Sequence, residues 1–180
     1  MTRLEPVSVA ERSLGAGARQ WAGLAAVAVA AVLADQVTKQ IVTSTLALDD
    51  VTHVAGPLSI HHVQNTGIAF GLFSGATSVV VAVTAAAIVW MLVFFARSGA
   101  RHPVLPAAFG LLIGGSLSNL FDRVRLGHVT DFIDIDWWTF RVFNLADAFI
   151  VLGVVILVVA LAAADRAPKP PRRTLDVAAR

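Results

Sequence analysis

The chain has 180 residues, 57% of them hydrophobic and 14% charged, with a formal net charge of +2 and a mean hydropathy of +0.74. A domain of this size facing water on all sides needs more surface charge, so the composition excludes an ordinary soluble globule and points to an integral membrane protein. There is no cysteine, which excludes disulfides, thiolate metal sites and a cysteine nucleophile.

In chain order, residues 1–20 are polar, carry Arg3, Arg12 and Arg19, and read as a disordered tail. The first apolar segment, Trp21 to Val42, is predicted to span a bilayer, although it holds Asp35 and Lys39. These two lie four apart, on one helix face, where an ion pair between them accounts for both. Val32-Leu33-Ala34 also resembles a leader-peptidase site, but removing this segment would leave three spans and put the basic middle loop on the wrong side.

Thr43 to Gly75 is too long for a simple turn. Its VTHVAGPLSIHHVQN portion alternates loosely and contains Gly56-Pro57, which predicts a short hairpin or sheet. On a strand the adjacent His61 and His62 point to opposite faces, a poor geometry for one metal. QNTGIAFGLF follows, with Phe70 and Phe73 as interfacial anchors.

The second span is predicted over Ala76 to Ala96 and the third over Val104 to Leu120, short and with Pro106 near its start. Gly110 and Gly114 make a G-x-x-x-G spacing that lets a neighbouring helix approach. At its end Asn119 and Arg123 are again four apart. They fit a capped helix end with a snorkelling arginine, and equally a pair of donors for a carbonyl or phosphate. The connection from Phe121 to Asn144 concentrates acids, with Trp137 and Trp138 as membrane-boundary markers.

The fourth span, Leu145 to Ala164, opens with Asp147, a carboxylate whose insertion costs roughly 2.5–3.5 kcal/mol at a membrane centre and less toward an end. If the third and fourth helices are antiparallel neighbours, Asp131 and Asp147 reach one depth on facing elements. Two adjacent carboxyls share a proton, so one can activate water while the other protonates a leaving group. The alternative is a helix-capping Asp147 and an unrelated loop acid. Ten of the fourteen Lys and Arg lie in the tails or between the second and third segments, which places both termini in the cytoplasm.

In order, DQVTK at 35–39, NTGIAF at 65–70, GGSLSNLFDR at 114–123, GHVTDFI at 127–133 and FNLADAFI at 143–150 resemble the blocks of prolipoprotein signal peptidases, the signal peptidase II family. The resemblance covers roughly Trp21 to Ala164 and implies an aspartic endopeptidase with four transmembrane helices and a small β-rich extracytoplasmic cradle. It puts the catalytic pair on Asp131 and Asp147 and substrate-binding or supporting roles on Asn65, Gly67, Asn119, Arg123 and Asn144. Asp35 and Lys39 stay a structural polar pair.

The resemblance further implies a bacterial inner-membrane enzyme with its active site toward the outer leaflet, and a peptidase domain over 21–164 between a tail at 1–20 and a basic tail at 165–180. It implies diacylglyceryl-modified prolipoprotein substrates cut before the lipidated cysteine, contact with membrane lipid, and globomycin-type inhibitors. No metal, cofactor or nucleic acid is implied. Ser118, Ile68 and Ala148 depart from the family pattern, which commonly has Gly, a small residue and Ser there. Two other classes fit the polar residues less well: a proton-coupled transporter relaying through Asp35, Lys39 and Asp147, and a non-catalytic membrane assembly or lipid-binding protein.

Overall fold

A computed structural model describes residues 15–67, 77–98, 102–136 and 142–166. The features expected at 1–14 and 167–180, at Ile68, Phe70 and Phe73, and at Trp137 and Trp138 lie outside the described residues, whereas Ala18 to Gln20, expected in the disordered tail, form the first turn of a helix.

Four long helices and three strands follow in the order α1 (Ala18–Thr45), β1 (Val51–Ala55), β2 (Leu58–Asn65), α2 (Thr77–Ser98), α3 (Leu105–Leu126), β3 (Val129–Ile135) and α4 (Leu145–Arg166). Three of the helices, α1, α2 and α4 over Leu145–Ala163, are long and apolar enough to cross a membrane. Their surface reads inside out. On α1, Val29, Leu33, Val37 and Ile41 recur every four residues and are more than half exposed, whereas Ala28, Ala31, Asp35 and Lys39 are buried. Large apolar side chains facing outward suit lipid, and small or polar ones suit a helix interface.

α3 sits among α1, α2 and α4. It runs six residues past the expected end at Leu120, so Asp122, Arg123 and Arg125 are helical and not in a connecting loop. Polar residues there do not break a helix. Gly127 does, adopting φ 80° and donating its N–H to Arg123 O at 3.1 Å. Two of its glycines serve opposite faces: a Cβ on Gly114 would stand 2.7 Å from Ala28 O of α1, and one on Gly115 would stand 2.5 Å from Ala146 O of α4. The α3 backbone therefore lies against both neighbours, as the G-x-x-x-G spacing anticipated for one of them. The first half of α3 packs an apolar cluster of Leu24, Ile88, Phe95, Leu105, Phe109 and Ile113, with Trp21 edge-on to Phe95 at 5.1 Å.

The expected hairpin is present as β1 and β2, turning at Gly56 with φ 54°. β3 was not anticipated as a strand. It adds antiparallel to β2, giving the order β1-β2-β3, with Val63 opposite Asp131 and Asn65 opposite Val129. An irregularity between Ile60 and Val63 shifts the register where the two histidines sit. His61 faces Asp134 at 3.3 Å, and His62 Nδ1 lies 3.0 Å from Leu46 O.

A candidate active site between a strand and a helix mouth

α4 begins with a reciprocal cap. Asn144 Oδ1 accepts the Asp147 N–H at 3.0 Å, and Asp147 Oδ2 accepts the Asn144 N–H at 3.3 Å. This satisfies two backbone donors at the helix entrance and fixes the Asp147 side chain. Asp147 thus does cap its helix, and the same carboxyl faces the site.

Asp131 stands on β3, 2% exposed. Its Oδ1 accepts from Asn144 Nδ2 at 2.7 Å and its Oδ2 from Asn65 Nδ2 at 2.9 Å. Burial outweighs these donors and, with repulsion from Asp147, pushes the Asp131 carboxyl up to about 6 from its usual 3.8. Asp147 Oδ1 accepts from Asn119 Nδ2 at 2.8 Å. One asparagine, Asn144, therefore touches both acids, through its backbone and its amide.

Asn65 is the last residue of β2, and its Oδ1 takes the Gly67 N–H at 3.0 Å. Arg123 reaches across to the same turn, donating from Nη2 to Gly67 O at 2.7 Å and from Nη1 to its own helix at Asn119 O, 3.3 Å. Arg123 Nε is buried and has no acceptor among the described residues. The structure thus gathers Asn65, Gly67, Asn119, Arg123 and Asn144 around Asp131 and Asp147.

The expected Asp35–Lys39 pair is present at 2.6 Å, as part of a larger polar network. Lys39 Nζ also lies 2.7 Å from Asp122 Oδ2 and donates to Asn119 Oδ1 at 2.9 Å. Asp35 Oδ1 accepts the Ala146 N–H of α4 at 2.8 Å, and its Oδ2 accepts from Ser118 Oγ at 2.7 Å. Gln36 Nε2 donates to Ser118 Oγ at 2.9 Å and to Asp122 Oδ1 at 2.8 Å. All of this is buried: Asp35 is 0% and Lys39 4% exposed. A cation and two acids out of water persist only when nearly every polar atom is paired, and here each is hydrogen-bonded except Asp122 Oδ2, which has the Lys39 ammonium beside it.

Sequence reasoning did not place Gln36, Ser118 and Asp122 in this network. Ser118 had a signal, since it stands where the resembled family commonly has Gly, and its hydroxyl fills that space by bridging Asp35 and Gln36. Ala148, the other described departure, lies in the first turn of α4 and donates its N–H to Asn144 O at 3.3 Å.

A buried acid and a half-buried one on neighbouring elements, the first with an elevated pKa and both held by amides, form a site able to bind and polarise a water. Comparisons with known proteins show the family to which the chain belongs. A lipoprotein signal peptidase of Symbiobacterium thermophilum is 37% identical over 142 residues, which cover 77% of this chain and 93% of that protein. One of Mesorhizobium japonicum is 38% identical over 144 residues, covering 78% and 85%. Two solved structures of bacterial membrane enzymes superpose with TM-scores of 0.77 and 0.72 at 31% and 33% identity, covering 83% and 78% of this chain and 94% and 92% of theirs. The model of the family described as signal peptidase (SPase) II matches residues 27–163, from the middle of α1 to the end of the apolar run in α4, and the chain belongs to that family.

Proposed function

We propose that this protein is a membrane aspartic endopeptidase that removes the signal peptide from prolipoproteins, cutting just before a cysteine that carries a diacylglyceryl group. The observation that carries the reading is the pairing of Asp131 on β3 with Asp147 at the mouth of α4, each carboxyl accepting two nitrogen donors. With one proton shared between them, the ionised member takes a proton from water as its oxygen attacks the scissile carbonyl carbon. The C–N bond then breaks, and the departing amine of the modified cysteine takes a proton from the pair. Asn65, Asn119 and Asn144 hold the carboxyls, and the Nε of Arg123, without an acceptor among the described residues, is a donor for a substrate carbonyl.

In this reading α3 is a fourth crossing, shielded from lipid by α1, α2 and α4. Both termini are cytoplasmic, and the sheet is a cradle at the outer leaflet, where acyl chains stay in lipid while the peptide bond enters the polar site. The peptidase domain covers 21–164, between tails at 1–20 and 165–180. Globomycin-type inhibitors compete for the same groove. Because the chain has no cysteine, His53→Cys in exposed β1 and Arg97→Cys at the end of α2 give clean labels: an impermeant thiol reagent on intact cells should modify the first and spare the second.

The decisive experiment is cleavage of a diacylglyceryl-modified prolipoprotein by purified protein in detergent, beside Asp131→Asn and Asp147→Asn checked for equal folding. Cleavage by the parent and by neither variant supports the pair. A folded variant that keeps most of the activity removes that aspartate from the mechanism, and an inert parent overturns the reading.

A further inference from the structure

We infer that Lys39 is a positioning residue for the reaction proposed above: its ammonium sets the direction of the Asn119 and Asn144 amides, so that their N–H groups, and not their carbonyl oxygens, face Asp147 and Asp131. The inference rests on the peptidase reading for its kinetic consequences and on geometry for its structural ones.

An ammonium has three N–H donors and no acceptor. Lys39 Nζ donates to Asn119 Oδ1 at 2.9 Å and stands in ion-pair contact with Asp35 Oδ2 and Asp122 Oδ2, at 2.6 and 2.7 Å. Asn119 must therefore turn its oxygen toward Lys39, which leaves its Nδ2 for Asp147 Oδ1. The same oxygen accepts Asn144 Nδ2 at 3.1 Å, so Asn144 is oriented in turn. Its remaining Nδ2 hydrogen goes to Asp131 Oδ1, and its Oδ1 receives the Asp147 N–H. A single cation thereby polarises a chain of two amides that ends on both acids.

The two ends of an asparagine amide are nearly the same size. Without the ammonium, a flipped Asn119 would set oxygen against Asp147 Oδ1, an arrangement that holds only when that carboxyl carries the proton. The charged groups facing this centre are Asp35 of α1, Asp122 and Arg123 of α3, Asp131 of β3 and Asp147 of α4. Asp35 and Asp122 hold the ammonium in place and are themselves held by Ser118 and Gln36.

Lys39→Met alone would strand two buried acids and endanger the fold. The test therefore uses Lys39→Met/Asp122→Asn, which removes one cation and one anion and leaves the formal charge of the cluster unchanged, together with Lys39→Arg. The double variant should fold, keep KM within about threefold and lose ~10–100-fold in kcat, the usual effect of removing a partner that orients a reacting group. The limb of its pH profile that reports loss of the shared proton should move to higher pH. Lys39→Arg, which keeps a cation and donors, should stay closer to the parent in rate and keep its profile.

Protein labelled with nitrogen-15 at asparagine supplies a readout independent of cleavage: the side-chain NH2 protons of Asn119 and Asn144 should exchange slowly in the parent and fast in the double variant. A folded double variant with parental kcat, pH profile and amide protection overturns the inference. So does a double variant that cannot fold, which would assign Lys39 to the fold alone. A parent with protected amides but no cleavage would strike at the peptidase reading and leave the positioning role standing.

Discussion

The two halves of α3 lie in one continuous helix and obey opposite rules. From Leu105 to Ile113 the buried residues are Leu105, Ala108, Phe109, Gly110, Leu112 and Ile113, which meet Phe95, Ile88 and Leu24 through ring and methyl contacts. From Gly114 to Asp122 they are Gly114, Gly115, Ser118, Asn119 and Asp122, and the last three meet their neighbours through hydrogen bonds and an ion pair. Apolar packing tolerates swaps of similar volume, because many weak contacts share the load. A polar cluster that is fully paired does not, since one deletion leaves its partner unsatisfied. The first half should therefore govern how stable the bundle is, and the second what it does.

The largest test of this division is at the acids. Asp131→Asn and Asp147→Asn should each lower the cleavage rate by ~10³-fold or more with the thermal midpoint little changed, read by single-turnover assays. Next come the amides: Asn144→Ala removes a donor from Asp131 and the cap from Asp147, and should cost ~10–100-fold in kcat. At the apolar half the pattern should invert. Phe109→Ala deletes a ring stacked on Phe94 at 5.6 Å and tilted against Phe95 at 5.8 Å. It should cost roughly 3 kcal/mol in denaturant unfolding while the folded fraction keeps the parental pH profile. A Phe109 variant that shifts that profile would break the division.

The smallest effect is one of pH on stability. The Asp131 carboxyl titrates at about 6 in the folded protein against 3.8 ordinarily, so folding takes up a proton between those values. Stability from this group accordingly rises as pH falls through about 6, by at most ~1.4 kcal/mol per pH unit, and levels off below about 4. Thermal unfolding from pH 8 to 4 should show the rise in the parent and a smaller one in Asp131→Asn.

The apolar runs made the helices legible, because twenty residues without interruption admit few other structures. The acids at 131 and 147 were legible through their flanking blocks. The end of α3 was legible only in part: the apolar run stops at Leu120, whereas the helix carries Arg123 and runs on to Gly127, which supplies the backbone conformation that stops it. β3 was missed because VTDFIDI does not alternate cleanly and its pairing partner lies more than sixty residues away. The Gln36–Ser118–Asp122 connections join positions over eighty residues apart, and no local pattern reports them. Lys39 was visible as half of an i, i+4 pair, a true contact that hid its second ion pair with Asp122 and its hydrogen bond to Asn119.

Ala146, the residue before Asp147, is pinned at both its N–H and its carbonyl. Asp35 holds the Ala146 N–H, and Gly115 brings the α3 backbone against Ala146 O, closer than any side chain would permit. Asp131, by contrast, rides on a three-stranded sheet whose outermost strand, β1, is exposed along its whole length. In the proposed peptidase, Asp147 would thus keep the position that two packed helices give it, and the open edge of the sheet would be the side with room to accommodate different signal peptides.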